Sequence, residues 1–167
     1  CLGEYEKKII KDDFGIKAQS VTPSIYGETR LDFTPSRDVV IEKDQEQHWQ
    51  KIAHQIRTHT GNAGAVLVFF ETEQKIAAFK ASHHAEGIEN LHVVTTATDN
   101  IDFYVKQATR SGHTTLFSRI HGRGLDFVCH DPAVEKDGGV HVVQTFLSVE
   151  MSEEIQIRGR TSRQDKR

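Results

Sequence analysis

The chain predicts an α/β fold, a parallel sheet with helices on both faces. Two observations carry this. Ala65–Phe70, read AVLVFF, is an unbroken apolar run, as expected of a strand buried on both faces in a parallel sheet. Along most of the chain, strand-like runs alternate with segments of helical period, the pattern of repeated β-α units.

The elements follow in order. Residues 1–37 lack a sustained period apart from a short candidate helix around Glu4–Lys11. Pro23, Gly27 and Pro35 punctuate this stretch, so an irregular or extended lead-in is expected. Val39, Val40 and Ile41 suggest a short strand over 38–42. Asp44 can cap a helix to about Thr60. Its Trp49, Ile52, Ala53 and Ile56 fall at i, i+3, i+4 and i+7, and Gly61 should stop it.

After the 65–70 strand, Thr72 can cap a helix that turns Ile76 and Phe79 inward. Leu91–Thr95 reads as a strand. Asp99 is the expected cap of a helix with Ile101, Tyr104, Val105 and Ala108 on one side, followed by Gly112. Thr114–Ser118 is a strand and Gly122–Gly124 a turn. Gly138-Gly139 precedes a strand over Val140–Phe146, and a last helix covers about Val149–Arg158. Right-handed crossovers would put the functional loops at the carboxyl ends of the strands.

Composition narrows the function. At 167 residues the chain can bury one core. It is 37% hydrophobic and 27% charged, in the range of folded domains. Lys plus Arg is 21 against 24 Asp plus Glu, a net charge of −3, which argues against a strongly basic nucleic-acid binder. No apolar run approaches the roughly 20 residues of a membrane helix. The two cysteines, Cys1 and Cys129, make no disulfide framework, so a reducing, cytoplasmic setting is the expectation.

The chain starts at Cys1, has its single Met at 151 and stops at Arg167 within a basic stretch. It is expected to be a piece of a larger protein. Residues 38–167 would form one lobe, truncated at its C-terminus, and 1–37 would lead in from a preceding one.

Two segments concentrate the chemistry. The first is His121-Gly122-Arg123-Gly124-Leu125-Asp126, just after the 114–118 strand. Its glycines permit close backbone approach, and its charged groups sit at a strand end. Read by itself it is more simply a tight turn with a surface ion pair. The second is Gln156–Gln164, read QIRGRTSRQ. Arg160 and Arg163 share a face if the turn is helical, and guanidinium forks suit phosphate oxygens. By itself this could be a solvated basic helix end.

Taken together, the two segments resemble the second RecA-like lobe of superfamily-two helicases, most closely the SecA family of bacterial preprotein-translocation ATPases. QIRGRTSRQ is similar to the family's QLRGRSGRQ, and HGRGLD to its AGRGTD element. Val140–Thr145 and the helix carrying Glu153 and Glu154 sit where the family has its strand and helix before the arginine motif. Ala65–Phe70 with its helix resembles the opening of this lobe. Leu2-Gly3 resembles the tail of the T-G-T-x-G element that closes the first lobe, and the stretch around Pro35–Ile52 resembles the entry into the second. The likeness covers nearly the whole chain.

The resemblance implies that ATP and Mg²⁺ are held mainly by a first RecA-like lobe absent from this sequence. Arg160 and Arg163 would act as arginine fingers on the γ-phosphate, with Arg163 the better candidate. Gly124 and Asp126 would line the nucleotide side of the cleft, and Gln156 would couple the lobes. Such a finger is worth roughly 10³–10⁵ in rate. The partners implied are the first lobe, an unfolded polypeptide substrate and, through the rest of the protein, the periphery of a membrane. Neither a G-x-x-x-x-G-K-[ST] loop nor an acidic D-E-A-D-type box occurs in the 167 residues, so the piece alone is expected to be inactive.

The chain departs from the family pattern at Ser162, where SecA has Gly, and at Asp165-Lys166-Arg167, where it has Gly-Asp-Pro. It departs again at Ser118–His121, and Leu125 is closer to a helicase R-G-L-D. Two alternatives therefore stay open: an RNA or DNA helicase lobe, and a non-catalytic SecA-like interaction domain. No metal site is expected. His83 and His84 are adjacent and would diverge on a helix, His54 and His59 are five apart, and Cys129-His130-Asp131 lacks partners at zinc spacings.

Overall fold

The computed structural model describes residues 4–18, 20 and 31–160. Its sheet has four parallel strands: β1 (Ala65–Phe70), β2 (Leu91–Val94), β3 (Thr114–Ser118) and β4 (Val140–Gln144), in the order β2-β3-β1-β4. The helices are α1 (Glu4–Asp12), α2 (Pro35–Asp38), α3 (Gln45–Gly61), α4 (Glu73–Ala81), α5 (Ile101–Ala108), α6 (Pro132–Lys136) and α7 (Met151–Arg158). Single 3-10 turns occupy His83–Ala85 and Arg119–Gly122. This is an α/β fold of the RecA-like type, a parallel sheet with helices on both faces; among the described residues α1 and α2 precede it.

All six residues of β1 are buried, and their alternation supplies both cores. Ala65, Leu67 and Phe69 face Val105, Ala108, Val134 and Ile157 of α5, α6 and α7. Val66, Val68 and Phe70 face Ile52, Ala53, Ile56, Ile76 and Phe79 of α3 and α4. The chain passes from β1 to β2 in one direction through α4, then returns through α5 to β3 and through α6 to β4 on the other face. Direction and face reverse together, as a constant crossover hand requires.

The caps explain several boundaries. The Asp44 carboxylate accepts from the Gln47 N–H at 2.8 Å, and the Thr72 hydroxyl accepts from the Lys75 N–H at 3.3 Å. Each satisfies a backbone donor at a helix start that has no intrahelical partner. Trp49 is part-buried and meets Phe79 edge-on, with ring centroids 6.4 Å apart.

Several expectations are corrected. No strand forms over 38–42. Residue 38 ends α2, and Val39, Val40 and Ile41 lie exposed, so their β propensity finds no neighbour to pair with. Asn100, not Asp99, precedes α5, in the left-handed region at φ 54°. Gly61 is the last residue of α3, and Ala63 at φ 65° makes the reversal. β2 and β4 end at Val94 and Gln144, and α7 begins at Met151. Helix α6 was not anticipated, although Pro132 at its start and the Asp131 carboxylate accepting from the Ala133 N–H signal it. Among the described residues, no helix is long and apolar enough to cross a membrane.

Candidate functional site

β1 and β3 are neighbours whose outgoing chains turn to opposite faces of the sheet. The carboxyl ends of such a pair frame a crevice, the usual ligand position in open α/β sheets. The loops there begin at Glu71 and at Arg119, and the loop after β4 lies alongside.

The HGRGLD segment sits at this edge and is fastened to the end of α7. Gly122 is buried, and a Cβ added there would lie 2.8 Å from Ile157 Cγ1 and 3.1 Å from Cδ1. Only glycine admits that contact without a shift. Gly124 follows at φ +81°, a conformation L side chains rarely adopt. Arg160, 3% exposed, turns its guanidinium back onto this loop. Its Nε donates to the Gly122 carbonyl at 2.6 Å, its Nη2 to the same carbonyl, and its Nη1 to the Leu125 carbonyl at 2.6 Å. Arg160, within the described part of the second motif, is thus hydrogen-bonded to the first.

The remaining predicted site residues are distributed around it. Gly124, Asp126 and Gln156 are exposed, the first two on the loop and Gln156 on α7. Arg160 is engaged with backbone carbonyls in this arrangement rather than extended toward solvent. Arg163 lies outside the described residues.

Sequence reasoning missed the polar groups that build the rest of the edge. Arg119 donates through Nε and Nη2 to the two carboxylate oxygens of Glu153, at 2.6 and 2.7 Å. This pairing lowers the Glu153 pKa below the ordinary carboxylate value and raises that of Arg119. Arg119 also lies 5.4 Å from the centroid of the Phe146 ring. Buried Ser118 places its hydroxyl 3.0 Å from Nδ1 of His121. Burial lowers the His121 pKa, and the Glu73 charge opposes that shift. Glu73 accepts from the N–H and hydroxyl of Thr96 at 2.7 and 2.8 Å, which holds its own pKa down. The signal available was position, since Glu71, Ser118 and Arg119 all fall at strand ends.

Arg123 reaches Glu150 at 3.3 Å, and Arg158 lies over the Phe33 ring at 4.1 Å while approaching Glu154 at 3.4 Å. The Arg158–Phe33 contact joins the lead-in to α7. Chemically, this edge holds a neutral-leaning imidazole, fixed carboxylates and guanidinium groups on a rigid sheet. Such a surface can bind and orient charged groups brought to it.

Away from this edge, one further group of ligand-type side chains converges among the described residues: Glu46, His83 and His84. In comparisons with known proteins, no family model matches the chain and no curated protein matches it.

Proposed function

We propose that the chain is the second RecA-like lobe of a SecA-like motor ATPase, which completes the site for ATP and Mg²⁺ held mainly on a first lobe of the same protein and couples hydrolysis to polypeptide movement. The observation that carries this reading is the joining of the two motifs. Arg160 fastens HGRGLD to QIRGRTSRQ through the Gly122 and Leu125 carbonyls at a sheet edge of the kind that binds ligands. In this reading Arg160 positions the loop and Arg163, three residues on, is the finger. Gly124, Asp126 and Gln156 form the exposed surface that meets the nucleotide and the first lobe.

The test is steady-state ATP turnover by the full-length protein, wild type against Arg163→Ala, with unfolded polypeptide or single-stranded RNA added. A loss of about 10²-fold or more in Arg163→Ala, with stimulation by polypeptide, is the expected result. Stimulation by RNA instead replaces this reading with a helicase lobe. Absence of wild-type turnover under every condition replaces it with an interaction domain.

A further inference from the structure

We propose that Glu46, His83 and His84 form a binding site for a divalent transition-metal ion of the Zn²⁺ type, which staples α3 to the turn after α4. The inference does not depend on the ATPase reading. Adjacent histidines diverge on an α-helix, but these two lie on a 3-10 turn and both reach one carboxylate. Nε2 of His84 is 2.8 Å, and Nε2 of His83 3.4 Å, from Oε1 of Glu46. The three ligand atoms all lie within 4.8 Å of one another, and the imidazole centroids are 3.9 Å apart.

These spacings suit a small ion. Ligands at zinc bond lengths in a tetrahedron stand about 3.3 Å from one another, so modest side-chain adjustment closes the cage. Two imidazoles and a carboxylate also match the borderline character of Zn²⁺ better than that of Mg²⁺ or Ca²⁺, which prefer all-oxygen sets. Three protein ligands leave a fourth position for water.

The surroundings hold the ligands from behind. Arg57 of α3 donates through Nη2 to the carbonyls of His84 and Glu86 at 2.8 and 3.0 Å, which fixes the turn against the helix that carries Glu46. Ala85 anchors the same turn in the core. The His84 side chain is only 10% exposed, whereas those of His83 and Glu46 are 68% and 62% exposed. One ligand is therefore set in place, and two can swing to meet an ion arriving from solvent. The other close histidine pairs, His92 with His113 and His59 with His141, belong to no such converging trio among the described residues.

The experiment titrates the full chain with Zn²⁺ by calorimetry in a non-chelating buffer, with Co²⁺ absorption as a coordination probe and thermal unfolding in parallel. One ion per chain and a rise in Tm with Zn²⁺ are expected, because an ion that binds only the folded state stabilises it. His84→Gln and Glu46→Gln should each weaken binding by at least about 10-fold and remove the Tm rise. His83→Gln, at an exposed position, should do the same without unfolding the chain, and His92→Gln should leave the affinity unchanged. No stoichiometric binding, unchanged affinity in His83→Gln and Glu46→Gln, or loss of binding in His92→Gln would overturn the proposal.

Discussion

Arg160 donates two hydrogen bonds to the carbonyl of Gly122, a residue 38 positions earlier in the chain. The same glycine leaves no room for a side chain against Ile157. Loop and helix end are therefore coupled twice, by hydrogen bonding and by van der Waals contact. Gly122→Ala should destabilise the chain by about 1–3 kcal/mol, the range for overpacking. Chemical denaturation of Gly122→Ala, Ile157→Ala and the double variant checks the cause. The cost of Gly122→Ala should shrink in the Ile157→Ala background, and strict additivity would refute the contact.

The pair of Arg119 and Glu153 predicts an asymmetry. The Glu153 side chain is 8% exposed and that of Arg119 is 38% exposed. Removing the arginine strands a buried carboxylate, whereas removing the carboxylate leaves an arginine that can turn to water. At pH 7, Arg119→Met should lower Tm more than Glu153→Gln does. The deficit of Arg119→Met should narrow on acidification, as the unpaired Glu153 takes up a proton.

Acid should weaken the fold through its histidines. Burial, with help from the stacked His59 ring 3.6 Å away, pushes the His141 pKa down to about 4, and nearby Asp38 only partly offsets this. His48, His59, His113 and His121 are also lowered, each chiefly by burial. The unfolded chain then binds more protons than the folded chain below the ordinary histidine pKa of 6.5. Stability is fully present above pH 6.5 and is lost as pH falls toward about 4. Urea unfolding across that window should show the decline. His141→Phe should flatten it by on the order of 2 kcal/mol, and an unchanged slope would argue against burial as the cause.

Thr115 is the second residue of β3, with its hydroxyl buried and without a hydrogen-bond partner. A hydroxyl taken from water without compensation is costly. Thr115→Val keeps the branched shape and removes that group, so it should raise stability by about 1 kcal/mol. A loss of stability in urea titration would mean that the hydroxyl is satisfied in solution.

Much of the framework was legible in residue order because its causes are local. The apolar run of β1, the caps Asp44 and Thr72, and the periods of α3 and α4 each report how a short segment meets a core. Residues 38–42 were misread for the complementary reason. β propensity forms a strand only where a partner edge is present, and no local pattern reveals one. α6 was missed because five residues are too few for a period to show. Gly122 and Arg160 stood out in sequence as parts of two motifs, but not as partners.

The sequence by itself determined the α/β class, the parallel arrangement and the approximate places of the four strands that form, alongside a fifth over 38–42 that does not, since burial and period are properties of neighbouring residues. Only the tertiary structure decided the strand order β2-β3-β1-β4, the turning of Arg160 onto the Gly122 carbonyl, the pairing of Arg119 with Glu153, and the meeting of Glu46 with His83 and His84. Each of these joins residues far apart in the chain. Such contacts depend on how the crossovers fold back, and a carboxylate, an imidazole or a guanidinium carries no local mark of the partner it will meet.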